Sequence, residues 1–421
     1  MTKLRVLLVS FGYPPDEQGG TQLYGEGLAE ALVRAGHEVS VFAANPRSAT
    51  TVHSVEHQGP IEVERLWDPE RAPDDPLALR RPDVEDRFVE ALNRTKPDVV
   101  HVLHLMHLSP ALVEVARDRG TPVVVGLNDH WFLCPLVNLA PGRSHHLGGR
   151  LWGVNCLWHS EATSVRRVAA LALRGRLWTR ARHHLSRPAR MRATLGRANV
   201  LVAPSMFVRD RFVEFGARPS TIEVLPYGLE PSAGEVVGGR AAPCGRVSVG
   251  YLGIYHESKG ADLLVDAFRT VDAPGARLTL RGEPLKRDYL RRLRSAAAED
   301  PRITVGDRVP FTEMQSYLAS LDLLVIPSRV HETFCRVAHE AARARLPVLA
   351  SRVGALAEVV AEGRNGLLFE PDDRHDLAAK LRALVSTPGT LAALDRFPRV
   401  KTMDEHVAEL VGIYRREGAG P

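Results

Sequence analysis

Short apolar runs alternate with segments of helical periodicity along most of the chain. This alternation predicts β-α units stacked around a parallel sheet. The strands predicted in the first half are Val6 to Ser10, Glu38 to Ala43, Val99 to Val102, Pro122 to Leu127 and Val200 to Ala203. The alternation then restarts and predicts a second set, namely Val249 to Gly253, Arg277 to Arg281, Ile303 to Val305, Leu323 to Ile326 and Val348 to Ala350.

A stretch rich in proline and glycine, residues 229–245, separates the two sets of strands and has the composition of a linker. We therefore predict an α/β protein with two doubly wound, Rossmann-like domains, at residues 1–228 and 246–398. In such folds ligands bind at the carboxyl edges of the strands. We expect both edges to face one central cleft. A last helical pattern covers about residues 403–417.

Composition changes this picture little. The chain has 421 residues, of which 44% are apolar and 25% charged; these values fit a globular enzyme of two domains. The sequence contains no run of about 18 uncharged apolar residues, so a membrane-spanning helix is not expected. The first strand begins too close to Met1 for a signal peptide, so we expect a cytoplasmic protein. Four cysteines do not suggest a disulfide framework.

The most informative polar pattern is a pair of glutamates separated by seven residues, Glu332 and Glu340. Glu332 lies in the loop after a buried strand, and Glu340 lies about one turn inside the next helix. The backbone N–H groups at a helix start suit a phosphate or diphosphate. Here they belong to Thr333, Phe334, Cys335 and Arg336. Carboxylates on both sides of that phosphate would accept hydrogen bonds from hydroxyls of a ribose and of a sugar, so the pattern predicts a nucleotide-sugar site.

This run resembles the E-x7-E motif of retaining glycosyltransferases with the GT-B fold, in particular the large family 4. The resemblance continues through residues 346–351, Val353-Gly354 and Glu358. It implies two Rossmann-like domains and a last helix that packs back on the N-terminal domain. It also implies that Glu332 holds hydroxyls of the donor sugar and that Glu340 holds the ribose.

Lys259 is the predicted cation of the donor site. It lies in the loop between the first strand of the second half and the next helix, where its charge would neutralise a diphosphate. The family pattern has an arginine at the position of Ile254, so Arg329 or Arg336 would have to replace that arginine. By resemblance, Gly282 and Val309 contact the phosphate or base through their backbone.

On the acceptor side, Gly19 and Gly20 precede a helix and resemble the family's N-terminal glycine loop; a structural turn is the alternative. Asn128 replaces a histidine that related enzymes often carry. It can form hydrogen bonds but cannot exchange a proton near neutral pH. Asp129 and His104 are the candidates for orienting the acceptor, and a structural role is possible for both.

A structural zinc site is a further hypothesis. Four residues, Cys134, His145, Cys156 and His159, fall where some relatives have four cysteines, and mixed cysteine-histidine ligation is compatible with tetrahedral zinc. Such an ion would hold a long loop in place and would take no part in catalysis.

Ten arginines and one acidic residue lie between Glu161 and Val200. The part from Arg166 to Arg197 would attract an anionic membrane surface or a phosphate-bearing acceptor; a solvated basic helix face is the alternative. Nucleic acid is not expected, because no motif of a nucleic-acid-binding protein is present.

Together these features predict a glycosyltransferase that moves a hexose-like sugar from a nucleoside diphosphate sugar, with UDP or GDP as the nucleotide, to a hydroxyl of a glycan, glycolipid or natural product. No Asp-x-Asp motif follows a strand, so no catalytic metal or other cofactor is expected. The alternatives are a nucleotide-sugar epimerase or hydrolase, and a non-catalytic protein that binds nucleotide sugars.

Overall fold

The computed structural model describes residues 2–15, 19–46, 48–69, 80–134, 137, 139, 177–230, 246–387 and 389–418. These residues pack into two compact units. The N-terminal unit holds the described residues up to Glu230 and again from Thr402 onwards, and the C-terminal unit holds those from Arg246 to Lys401. The chain therefore returns to its first unit for its last helix.

Eight strands among the described residues form one sheet in the N-terminal unit. They are β1 (Arg5–Ser10), β2 (Glu38–Ala44), β3 (Val52–Gln58), β4 (Ile61–Trp67), β5 (Val99–Val102), β6 (Val123–Gly126), β7 (Val200–Ala203) and β8 (Ile222–Val224). Their spatial order is β3-β4-β2-β1-β5-β6-β7-β8, and only the β3–β4 pair is antiparallel. The winding direction reverses between β1 and β5, so the switch point of this sheet lies there.

Helices cover both faces of this sheet. They are α1 (Gly20–Arg34), α2 (Pro82–Thr95), α3 (Leu112–Asp118), α4 (Leu177–Arg197) and α5 (Met206–Phe215). One face buries side chains of α2 to α5, among them Phe88, Leu112 and Phe212. The other face buries Leu28 and Leu32 of α1, whose spacing of four places both on one side of the helix.

The C-terminal unit repeats the design with six strands in the order β11-β10-β9-β12-β13-β14, all parallel. The strands are β9 (Val247–Leu252), β10 (Ala276–Arg281), β11 (Ile303–Gly306), β12 (Leu323–Ile326), β13 (Val348–Ser351) and β14 (Gly366–Phe369). The helices are α6 (Ala261–Arg269), α7 (Arg287–Ala297), α8 (Met314–Ala319), α9 (Arg336–Arg343), α10 (Leu356–Val359) and α11 (Arg374–Ser386). This is the strand order of a dinucleotide-binding fold, and its switch point lies between β9 and β12.

The last helix, α12 (Met403–Gly418), packs beside α1 in the N-terminal unit. Two buried histidines anchor it there. Nε2 of His406 lies 2.8 Å from the hydroxyl of Tyr24, and the hydroxyl of Tyr414 lies 2.6 Å from Nδ1 of His101. Both histidines are at most 1% exposed, so these polar contacts are part of the core.

The sequence does not predict β3, β4, β8 or β14. Strand β3 is mostly polar and β4 carries three charged residues, a pattern that argues against strands next to the core. In the structure Glu64 of β4 is buried but carries two partners, His53 at 2.9 Å and Arg94. Partners distant in the sequence thus make a buried charge tolerable.

Candidate functional site

At the switch point of the C-terminal unit, the loops after β9 and β12 bring Lys259 and Glu332 together. Nζ of Lys259 lies 2.7 Å from Oε1 of Glu332. The hydroxyl of Ser328 donates a second hydrogen bond to the same oxygen, at 2.5 Å. A carboxylate with two donors on one oxygen has a fixed orientation, so Glu332 is held in place before any ligand arrives.

Glycine allows the two loops to approach each other. Gly260 follows Lys259 with φ of 68°, and a Cβ there would lie 2.0 Å from the carbonyl oxygen of Pro327. The backbone N–H of Arg329 donates to the carbonyl of Ser258 at 2.8 Å. A side chain at position 260 would separate the loops and with them Lys259 from Glu332.

A third loop holds the backbone of Glu332. The N–H of Ala355 donates to the carbonyl of Glu332 at 2.8 Å. Gly354 adopts φ of 54°, and a Cβ there would lie 2.2 Å from the same carbonyl oxygen. The Val353-Gly354 pair of the family pattern therefore has a steric reason in this chain.

Helix α9 begins four residues after Glu332, at Arg336. Its N-cap, Cys335, has a left-handed backbone with φ of 59°. The buried ring of Phe334 stacks on His339, with 3.8 Å between the ring centroids. The four residues predicted to offer backbone N–H groups to a phosphate are therefore consecutive at the start of this helix, namely Thr333, Phe334, Cys335 and Arg336. A helix start is the kind of place where proteins bind phosphate.

Glu340 is 5% exposed and lies on the inner side of α9. Its Oε1 accepts a hydrogen bond of 2.8 Å from Nε of Arg336, one turn earlier. A hydroxyl donor that binds Glu340 therefore shares this carboxylate with Arg336 or displaces it.

Charge distribution at the site follows from burial and pairing. Burial alone would lower the pKa of Lys259, but the charge and hydrogen bond of Glu332 outweigh it and raise that pKa. Burial raises the pKa of the Cys335 thiol well above its usual range. Lys259 is thus a lasting cation at neutral pH, whereas Cys335 stays a neutral thiol.

Neither arginine suggested as a replacement for the one missing at Ile254 is unengaged. Nη1 of Arg329 lies 2.8 Å from Asp262 and its Nε 2.6 Å from Asp372. Arg336 contacts Glu340, as described above. Ile254 itself is 44% exposed.

Gly282 and Val309 lie on the other side of the switch point. A Cβ at Gly282 would lie 2.0 Å from the carbonyl oxygen of Gly253, in the loop that leads to Lys259. Gly282 thus shapes that loop. Val309 is buried and lies beyond β11, at the far edge of the sheet.

At the switch point of the N-terminal unit, His104 and Asp129 form a close pair. Nε2 of His104 lies 2.6 Å from Oδ2 of Asp129, and Nδ1 accepts a hydrogen bond from the N–H of Met106 at 3.0 Å. These contacts assign the proton to Nε2. The imidazole ring lies between Phe11 and Trp131, with centroids 4.5 and 5.3 Å away.

Asp129 is the member of this pair that carries a charge. Burial alone would raise its pKa, but His104 and the N–H of Trp131, which donates at 2.8 Å, hold the pKa below its usual range. An ionised Asp129 can orient a hydroxyl group. His104, with both ring nitrogens engaged, has the environment of a positioning residue.

The side chain of Asn128 forms hydrogen bonds with two residues that are distant in the sequence. Its Nδ2 donates to the carbonyl of Leu103 at 3.0 Å, and its Oδ1 accepts a hydrogen bond of 2.5 Å from the hydroxyl of Tyr227. The Tyr227 ring stacks on Tyr24, 4.1 Å away. An amide serves this place because it offers one donor and one acceptor on a single planar group.

Gly19 is the N-cap of α1, and Gly20 is the first residue of the helix. A Cβ at Gly19 would meet only the end of the Gln22 side chain, and one at Gly20 would meet nothing within 4 Å. Packing within the unit therefore does not require glycine at position 20. A ligand that approaches the backbone closely would require glycine there.

The zinc hypothesis and the basic stretch are described only in part. Cys134 is partly buried, whereas His145, Cys156 and His159 lie outside the described residues. In the basic stretch four arginine side chains are described, and each contacts its own unit. Arg187 is 2% exposed and donates to the carbonyls of Trp131 and Phe132. Arg190, Arg192 and Arg197 contact Glu114, Phe215 and Asp118 respectively.

In the part of the chain that the structure describes, no helix combines the length and the apolar character needed to cross a bilayer. The side chains of the other six arginines of the basic stretch, between Arg166 and Arg182, are not among those described.

Two family models match the chain. Residues 19–228 match the glycosyl transferase 4-like domain, and residues 246–387 match the glycosyl transferases of group 1. Each match falls within one of the two units and includes the switch point described for it. The second match contains Lys259, Glu332 and Glu340.

Individual proteins are similar over nearly the whole chain. Glycogen synthase of Mycobacterium tuberculosis is 26% identical over 409 residues, covering 91% of this chain and 87% of that protein. Sucrose-phosphate synthase of Thermosynechococcus elongatus superimposes with a TM-score of 0.69 at 19% identity, covering 98% and 99% of the two chains. Anabaena HepE, solved in complex with UDP and glucose, gives 0.63 at 17% identity, covering 98% and 100%.

Proposed function

Because the chain is a glycosyltransferase with a GT-B fold, built from a 4-like and a group 1 domain, we propose that it transfers a hexose-like sugar from a UDP- or GDP-linked donor with retention of the anomeric configuration. The acceptor is a hydroxyl group of a glycan, a glycolipid or a natural product. One observation carries this proposal: Lys259 and Glu332 form a pair at the switch point of the C-terminal unit, at the start of the helix that carries Glu340.

Donor binding follows from the charges at this place. The diphosphate would bind at the start of α9 and next to Lys259, whose raised pKa keeps it cationic well above neutral pH. Glu332 would then accept hydrogen bonds from hydroxyls of the sugar, and Glu340 from the ribose. A solved relative of the same fold holds UDP and glucose, which supports a nucleotide sugar as the donor.

Transfer requires that the bond between the anomeric carbon and the diphosphate oxygen breaks. Negative charge then grows on the diphosphate, and Lys259 is placed to stabilise it. The acceptor oxygen forms its bond to the same face of the anomeric carbon, and its proton passes to the departing diphosphate. This scheme needs no protein base. It is therefore compatible with an amide, Asn128, at the position where related enzymes often carry a histidine. Nor does it need a metal ion, so EDTA should leave activity intact.

The acceptor would bind on the N-terminal unit, where the ionised Asp129 can orient a hydroxyl and His104 keeps Asp129 in place. The glycines at the start of α1 leave room for a ligand to approach the backbone. A membrane contact through the basic stretch from Arg166 to Arg197 would bring a lipid-linked acceptor to this unit.

The experiment has two parts. The purified chain is first incubated with UDP-, GDP-, ADP- and dTDP-sugars in a thermal-shift panel, and the best donor is then followed by NMR to determine the anomeric configuration of the product. An inverted product contradicts the retaining mechanism. Conversion of the donor without an acceptor would instead indicate an epimerase or hydrolase.

Isothermal titration with the free nucleotide tests the ribose contact. Glu340→Gln should weaken nucleotide binding by about 1–3 kcal/mol, the loss expected for a charge-assisted hydrogen bond. Glu362→Gln is the matched control, because Glu362 also pairs with an arginine, Arg352 at 2.8 Å, but on an exposed surface. Normal affinity in Glu340→Gln would remove the ribose assignment.

A further inference from the structure

Three polar side chains lie together at the carboxyl edge of the N-terminal sheet, beside the pair of His104 and Asp129. Trp67 ends β4, Arg81 precedes α2, and His107 lies in the loop after β5. The rings of Trp67 and His107 meet edge to face with 5.6 Å between centroids. Burial, with smaller effects from the charges of His104 and Arg81, lowers the pKa of His107 to about 4. The backbone N–H of Arg81 donates to Oγ of Ser109 at 3.3 Å, two residues after His107, so Trp67 and Arg81 both contact the loop after β5.

The guanidinium of Arg81 is paired with a carboxylate on one side only. The side chain is almost fully buried, and its Nε and Nη2 donate to the carboxylate of Asp83 at 3.2 and 2.8 Å. The guanidinium is a planar fork with donors on both sides. Its Nη1 is buried and has no hydrogen-bond partner among the described residues.

Trp67 presents the same situation. Its indole Nε1 is buried and, in the described part of the chain, has no acceptor. Neither a guanidinium nor an indole N–H can accept a hydrogen bond. The missing partner must therefore supply acceptors, and the charge of Arg81 favours one that is anionic.

A second feature supports a ligand at this place. The loop after β5, which carries His107, lies at the switch point between β1 and β5, where sheets of this kind bind their ligands. Asp83 accepts hydrogen bonds from Nε and Nη2 of Arg81. The hydrogens on Nη1 remain available to another oxygen.

We propose that Nη1 of Arg81 and Nε1 of Trp67 form an oxyanion subsite that binds a phosphate or carboxylate group of the acceptor. The subsite narrows the acceptor class to anionic sugars, polyols or glycosides. Its assignment to the acceptor rests on the proposed function, whereas the binding of an oxyanion does not.

Indole resonances test the subsite directly. The chain contains five tryptophans, and labelling with [15N]tryptophan gives one Nε1–H signal for each, of which Trp67→Phe identifies the one in question. Glucose 6-phosphate, glucuronate and glucose are titrated separately. We expect an anionic sugar to shift the Trp67 signal and glucose to leave it unchanged. The comparison of the two anions shows whether phosphate or carboxylate is preferred.

Arg81→Met should weaken this binding about tenfold or more, because a charge-assisted hydrogen bond is lost. Arg80→Met is the matched control: Arg80 is the preceding residue, its side chain is 57% exposed, and it pairs with Glu85. We expect Arg80→Met to bind like wild type.

The proposal fails if neither anion shifts the Trp67 signal, or if glucose shifts it as much as the anions do. Should Arg81→Met not fold, this comparison in the wild-type protein still decides. A shift by the anions in a protein that shows no transferase activity would retain the oxyanion subsite and refute only the function assigned to it.

Discussion

Lys259 and Glu332 are 73 residues apart in the sequence, yet Nζ of one lies 2.7 Å from Oε1 of the other. Each comes from a loop at the switch point of the C-terminal unit. In the absence of a donor, each group supplies the counter-charge of the other. A bound nucleotide sugar would replace both interactions, with its diphosphate next to Lys259 and its hydroxyls at Glu332.

This pairing predicts a coupled effect on stability. Lys259→Met removes the ammonium from a carboxylate whose side chain is 13% exposed, so the free energy of unfolding should fall by about 1–3 kcal/mol. The double variant Lys259→Met/Glu332→Gln should recover part of this loss. Urea unfolding of the four proteins at pH 7 measures the coupling, and strictly additive effects would contradict it.

The pH of this measurement follows from the raised pKa of Lys259. A group whose pKa is higher in the folded than in the unfolded state contributes fully below the unfolded value, about 10.4 for lysine. Its contribution is lost as the pH rises through the folded value. The coupling should therefore be the same at pH 6 and pH 8.

Arg329 holds the turn that carries Lys259. Its Nη1 donates to the carbonyl of Glu257 at 3.0 Å and to Asp262 at 2.8 Å, and its Nε donates to Asp372 at 2.6 Å. Arg329→Met should lower kcat/KM for the donor about tenfold or more, equivalent to about 1.4 kcal/mol. Arg352→Met is the control, because Arg352 is 43% exposed and pairs with Glu362 and Glu370.

A second variant separates positioning from direct contact. If Arg329 positions Lys259, then Asp372→Asn loosens the turn and weakens donor binding. If Arg329 itself contacts the diphosphate, the loss of its carboxylate partner would strengthen binding. Titration of the free nucleotide into Asp372→Asn distinguishes the two roles by the sign of the change.

How far the sequence predicts this protein depends on how local each signal is. Apolar runs such as Leu323–Ile326 mark buried strands, because the side chains of those strands face helices on both sides. The charged strand Ile61–Trp67 is not recognised in this way, because Glu64 depends on His53 and Arg94, which belong to other elements.

 The same limit applies to the site. The sequence identifies Lys259 and Glu332 separately and by resemblance, but it does not reveal that the two side chains are in contact.

The acceptor side shows a further limit. His104 and Asp129 are both candidates from the sequence, but their contact depends on the order of strands in the sheet. Likewise, the count of arginines between Glu161 and Val200 does not reveal that Arg187 is buried against the carbonyls of the turn after β6. Composition records the charge of a side chain and not its partner.

Acid should destabilise the N-terminal unit through His101. Burial lowers the pKa of this histidine to about 3, so the unfolded chain takes up a proton below about pH 6.5 while the folded chain does not. Stability therefore falls as the pH falls from about 6.5 towards 3, by about 1.4 kcal/mol per pH unit for one proton. In urea unfolding at pH 7 and pH 5, His101→Gln should lose about 2 kcal/mol less than wild type.

Tyr414→Phe tests the cause of this shift. It removes the hydroxyl that lies 2.6 Å from Nδ1 of His101 but keeps the ring that buries the imidazole. Because burial is the main cause, Tyr414→Phe should keep the pH dependence of wild type. A pH dependence as weak as that of His101→Gln would instead assign the shift to the hydrogen bond.

Asn128 should tolerate no acid in its place. Its Nδ2 donates to the carbonyl of Leu103, and its Oδ1 accepts from the hydroxyl of Tyr227. Asn128→Asp, nearly equal in shape, would place a carboxylate oxygen against that carbonyl, and we expect the free energy of unfolding to fall by about 1–3 kcal/mol at pH 7. Tyr227→Phe loses one hydrogen bond and should cost about 1 kcal/mol. The control is Asn93→Asp on the exposed side of α2, which should change stability little. If Asn128→Asp unfolds at the same urea concentration as Asn93→Asp, the amide does not hold these two groups.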